Sequence, residues 1–166
     1  NISSMLAGAR THIGDAIQAL AANKAALIEL VNAGVFKAKN LSSMLHGAGD
    51  HIGDAIQALA TNKAELIELV NAGVFEAENL SSMLNGARAH IGDAIQALAA
   101  NKDKLIELLA SRVFEAKNLS SMLNGAGDHI GDAIQALAAN KDALIELVKA
   151  GGFEGENLSS MLHGAG

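Results

Sequence analysis

An all-α chain built as a tandem-repeat α-solenoid, with two to three helices per unit, is the fold that three features of the sequence predict. The first is internal repetition. The string HIGDAIQAL begins at His12, His51, His90 and His129, and SSML begins at Ser3, Ser42, Ser81, Ser120 and Ser159, always 39 residues apart. The second is the spacing of apolar residues, which follows a helical face in every unit. The third is the size of the unit, because 39 residues cannot bury an apolar face alone, whereas stacked units share one continuous core.

With Phe as the landmark, complete units span 35–73, 74–112 and 113–151, flanked by partial units at 1–34 and 152–166. All form a single array. In the second unit, Phe36, Leu41, Met44 and Leu45 mark the apolar stripe of a short helix over about Lys37 to Leu45. The stretch His46-Gly47-Ala48-Gly49-Asp50 breaks it. Ile52, Ala55, Ile56 and Leu59 then recur at i, i+3, i+4 and i+7, so a second helix starts here, with Asp50 at the position of an N-cap.

Asn62, followed three residues later by Glu65, reads as a further cap ahead of Leu66, Ile67, Leu69 and Val70. The apolar phase also runs through Asn62, so one long kinked helix and two separate helices both fit. Gly73 stands at a helix C′ position, as do Gly34 and Gly151. The methionines from Met5 to Met161 fall on the packed face and read as core. No segment reads as a strand. The chain opens inside a first helix and closes in a loop, as expected of a slice of a longer array.

Composition narrows the function. Without cysteine there is no disulfide framework, thiolate metal site or cysteine nucleophile. Trp and Tyr are absent and Phe occurs four times, leaving no aromatic platform for stacking bases or sugars. The net charge of −6 is the reverse of the usual nucleic-acid footprint. No apolar run reaches the roughly 18 to 20 residues that span a bilayer, and no signal peptide is visible, so a soluble chain of open localisation is expected.

An active site needs one unsymmetrical cluster, and near-identical units supply none, so a non-enzymatic protein with no catalytic residues, cofactor or small-molecule substrate is expected. Ser42 and Ser43 lie on a polar helix face. His46, Asp50 and His51 lack a third strong ligand at fixed spacing, so no metal is expected. Asp15, Asp54, Asp93 and Asp132 read as first-turn acids that complement the helix dipole.

One group of the positions that vary between units falls in one inter-helix loop. Ala7, His46, Asn85, Asn124 and His163 are equivalent, and three residues later come Arg10-Thr11, Gly49-Asp50, Arg88-Ala89 and Gly127-Asp128. Stacking would align them along one edge. Two readings stand: a row of contact residues facing a partner, or neutral change in an exposed loop. Lys37 and Glu76, at another position, are the milder kind of swap.

The unit beginning Phe114-Glu-Ala-Lys-Asn-Leu-Ser-Ser-Met-Leu-Asn-Gly-Ala-Gly, with Asp132-Ala-Ile-Gln-Ala-Leu and Lys149-Ala-Gly-Gly-Phe153, resembles a repeat of the transcription activator-like effector group, especially its shorter bacterial relatives. The resemblance spans every unit. It implies a right-handed superhelix that winds along the major groove of double-stranded DNA, one repeat per base pair, with a base-choosing pair in the loop. The unit here is longer than the family's usual repeat, and counting from Phe36 places that pair on Gly47-Ala48, which is the same in every unit.

His12, His51, His90 and His129 stand where each loop meets the second helix. Backbone amides and the helix dipole favour an anion there, so these histidines are candidate phosphate contacts, or the loop is a plain capped turn. Two partners follow from different classes: double-stranded DNA held at the loop edge, or another protein on the array surface, which the acidic balance suits.

Overall fold

The computed structural model describes residues 2–164, which form thirteen α-helices and no strand. The first unit holds α1 (Ile2–Gly8), α2 (Ile13–Ala22) and α3 (Lys24–Asn32), and the second α4 (Ala38–Gly47), α5 (Ile52–Thr61) and α6 (Lys63–Asn71). The third holds α7 (Ala77–Gly86), α8 (Ile91–Ala100) and α9 (Lys102–Ala110), and the fourth α10 (Ala116–Gly125), α11 (Ile130–Ala139) and α12 (Lys141–Lys149). The first helix of the last unit is α13 (Gly155–Gly164). None of these helices is long and apolar enough to cross a membrane.

Equivalent helices pack on one another from unit to unit. The first helices run α1, α4, α7, α10, α13, each against the next, and the second helices run α2, α5, α8, α11 in the same way. Between the two files lies the core. Phe36, Phe75 and Phe114 are buried together with the valine before each, and Ile52, Ile56, Ile91, Ile95, Ile130 and Ile134 have no exposed surface. Ile13 and Ile17, equivalent but with no unit stacked before them, are exposed. Burial here comes from the neighbouring unit, as the size of the repeat requires. The methionine row is core at Met5, Met44, Met83 and Met122, while Met161 is exposed.

The second helix is two helices that meet at one residue. Asn62 leaves helical geometry at φ −106° and ψ 21°, and its equivalents Asn23, Asn101 and Asn140 do the same. Asn62 does not cap the helix ahead of it. Its amide Nδ2 donates backward, 2.9 Å to the Ala58 carbonyl, and the pattern recurs at Asn23, Asn101 and Asn140. The asparagine thus ties off the end of one helix while the backbone turns into the next.

A left-handed glycine closes the turn after each third helix but α9. Gly73, at φ +76°, donates its N–H to the Val70 carbonyl, and Val74 donates to the Leu69 carbonyl, closing a Schellman motif that carries the buried Val74 into the core. In the third unit Arg112 takes this position at φ +57° and makes the same two closing bonds with Val113. A left-handed residue with a Cβ costs roughly 1–2 kcal/mol. Arg112→Gly is therefore expected to raise stability by about 1 kcal/mol in urea denaturation. A loss of stability would show instead that the Arg112 side chain holds contacts worth more than the relieved backbone.

A charged clasp also links successive units. Lys63 pairs with Glu29, Lys102 with Glu68 and Lys141 with Glu107, each lysine reaching back one unit. On the first-helix file Lys37 pairs with Glu78, so the Lys37 and Glu76 swap sits in a charge pattern that extends across units. Hydrogen bonds to Glu68 and Glu107 raise the pKa of Lys102 and Lys141, and the hydrogen bond from Lys37 lowers that of Glu78.

The lysine contribution is complete at neutral pH and disappears as pH rises through the raised folded-state pKa, above the ordinary value of about 10.4. The Glu78 contribution is complete above the ordinary glutamate value of about 4.3 and disappears as pH falls through its lowered one. Tm is therefore expected to be flat between about pH 5 and 10 as far as these pairs determine it. Lys102→Met with Lys141→Met should make its alkaline decline shallower. An unchanged decline would assign the alkaline loss to other groups.

Candidate functional site

Between the first and second helix of each of the first four units the chain makes one turn of 3₁₀-helix: Arg10–His12, Gly49–His51, Arg88–His90 and Gly127–His129. Successive turns touch, so the four form a row along one edge. At the head of each turn the backbone is left-handed: φ is +47° at Arg10, +58° at Gly49, +49° at Arg88 and +54° at Gly127. The varying position of the sequence is thus the one that reverses the chain. Glycine suits it, and two units place arginine there instead.

The Asp50 cap expected from sequence is not formed. Asp50 lies inside the 3₁₀ turn, the residue before the first helical one is His51, and neither makes a side-chain cap hydrogen bond. The physical reason is the left-handed Gly49, which starts the turn early and moves the helix start two residues on. Asp50 and Asp128 are exposed at the edge, beside Thr11 and Ala89 in the other two units.

Ala7, His46, Asn85 and Asn124 belong elsewhere. They occupy the last turns of the first helices, and His46, Asn85 and Asn124 stand at the seam with the preceding unit. His46 Nδ1 donates to the Ser4 carbonyl at 2.7 Å. A methyl added to Gly8 would lie 2.7 Å from the His46 carbonyl oxygen, and one on Gly86 would lie 2.9 Å from Asn124 Oδ1. His163 presses on Gly125 in the same manner. These side chains settle how closely first helices approach, which gives the position a packing role that sequence variation alone did not suggest.

The pair that the family register points to, Gly47-Ala48, faces inward. Ala48 is 2 % exposed, and Gly47 is pressed against Asn85. Side chains offered outward are those of the next two residues, Arg10-Thr11, Asp50, Arg88-Ala89 and Asp128.

The histidines form a second row beside the first. His12, His51, His90 and His129 approach Asp15, Asp54, Asp93 and Asp132 with Nδ1 to Oδ2 distances of 3.4, 3.6, 3.5 and 3.8 Å. Each aspartate stands in the first turn of its helix, where it complements the dipole. That end of the helix already has a carboxylate, so a phosphate would meet repulsion there. Between α5 and α8, a groove of about 570 Å³ is lined by His51, Asp54, Gln57, His90, Asp93 and Gln96. No group of three metal-ligating side chains occurs among the described residues.

Arg10 and Arg88 are exposed and make no hydrogen bond or ion pair among the described residues. Although they come from units on either side of the second, both line one cleft of about 480 Å³ over the Gly49-Asp50 turn. A reader of the sequence has one signal for this: glycine alternating with arginine at a single position just after a helix.

Comparison of the chain with protein-family models, with curated proteins and with solved structures returned no match.

Proposed function

We propose that the chain is a non-enzymatic α-solenoid that binds double-stranded DNA along the edge formed by its inter-helix turns. The observation that carries this reading is the row itself. Each of the first four units brings the same left-handed turn to the same edge, and the side chains on it change from each unit to the next: Arg-Thr, Gly-Asp, Arg-Ala and Gly-Asp. A partner with a regular repeat of its own, whose successive elements differ, fits such a row. Duplex DNA is that kind of polymer, and the resemblance to transcription activator-like effector repeats favours it. Readout would fall on Arg10-Thr11, Gly49-Asp50, Arg88-Ala89 and Gly127-Asp128, displaced from the family's own register.

A second reading, a protein-binding scaffold, is favoured by one observation. The four His–Asp pairs make a strip with an exposed carboxylate in every unit, which attracts a basic protein surface and repels phosphates. Selection from randomised duplex DNA at low salt separates the two. An array lengthened by further copies of the unit should enrich a motif whose length tracks unit number, and binding should weaken steeply as salt rises, because the release of counterions from the phosphates is then less favourable. No enrichment, and affinity indifferent to salt, would discard DNA in favour of a protein.

A further inference from the structure

Of the exposed residues on the turn row, only two occupy a backbone conformation that disfavours them. Arg10 and Arg88 adopt positive φ where the chain itself uses glycine in the alternating units. A change to glycine would relieve the backbone and sacrifice no hydrogen bond or ion pair described for either side chain. What the arginines add is a pair of free guanidinium groups converging on one cleft, with the Gly49-Asp50 turn as its floor.

We infer that Arg10 and Arg88 are the specificity-determining residues of the edge, each engaging the O6 and N7 acceptors of a guanine in the major groove. This rests on the DNA-binding reading above. Guanidinium presents two parallel donors that match those two acceptors, the commonest side-chain match to a single base. The alternative partner for such a group is a phosphate, and the charge of the cleft decides against it. Asp50 lies between the two arginines, and Asp15 and Asp54 flank the turn. These carboxylates repel a phosphate, whereas a guanine edge is neutral and brings acceptors without net charge. Units with glycine at the head of the turn have no such side chain to offer, so the guanines recur with the spacing of two units.

Selection from randomised duplex DNA with the full chain tests this, alongside two double variants. The chain is expected to enrich two guanines at fixed separation, and replacing either by adenine should weaken binding about tenfold. R10G with R88G should keep the helical circular dichroism and an equal or higher Tm, because glycine is already used at positions 49 and 127. It should lose both guanines from the motif. R10K with R88K keeps the charge without the two-pronged donor, and should bind with that preference relaxed.

If the glycine variant enriches the same motif as the parent, the arginines do not choose the sequence, although DNA binding stands. If the lysine variant keeps the full guanine preference, the two positions act as simple cations and the inference fails. If the parent enriches no motif, the inference and the DNA reading fail together.

Discussion

Phe75→Ala is expected to destabilise the chain by about 3–5 kcal/mol, and Phe153→Ala, the same substitution two units further on, by less than about 1 kcal/mol. Phe75 is 1 % exposed and Phe153 is 39 % exposed. Truncating a buried phenylalanine removes its transfer free energy and leaves a cavity that close-packed neighbours fill only in part. Phe75 also joins two units, since the core at this level is shared between stacked helices. Units joined only to their neighbours depend on each interface, so the loss at position 75 should also divide the array. Two transitions in urea, or one broadened transition with a reduced m-value, would show this. Equal effects at the two positions would mean that burial by the neighbouring unit is not what stabilises the phenylalanine.

The helices were legible because their signals are local. Periodic Ile, Ala and Leu specify the faces, and Gly34, Gly73 and Gly151 close three units with the expected left-handed turn. Arg112, in the same geometry, is the exception that composition conceals. Asp50 misled because Asp beside Gly resembles a helix cap whether or not the turn before it is left-handed. Asn62 misled because its amide reaches forward and backward equally well, and only the finished helix before it supplies the Ala58 carbonyl.

At the site the limits have another cause. His46 looked like a loop residue until it met Ser4, 42 positions earlier, and the pairing of Lys102 with Glu68 likewise spans two units. No period within a single unit encodes such contacts. The edge itself was legible as a place where units differ. Which of its residues face outward was not, because Ala48 and Asp50 are separated only by the backbone reversal at Gly49.

Replacing Asp15, Asp54, Asp93 and Asp132 together by asparagine should change stability and binding in opposite directions. The substitution takes the net charge from −6 to −2 and removes one carboxylate from the first turn of each second helix. First-turn acids are worth roughly 0.3–1 kcal/mol each at the surface, so the four together should lower stability by about 2 kcal/mol, less at high salt. The same carboxylates lie beside the turn row, within reach of any polyanion held there. Their loss should strengthen DNA binding at low ionic strength by about tenfold or more, with the gain fading as salt rises. Affinity for a basic protein partner should fall instead. Unchanged DNA affinity at low salt, with the stability loss present, would place the aspartate strip away from the DNA and leave the turn row alone as the contact.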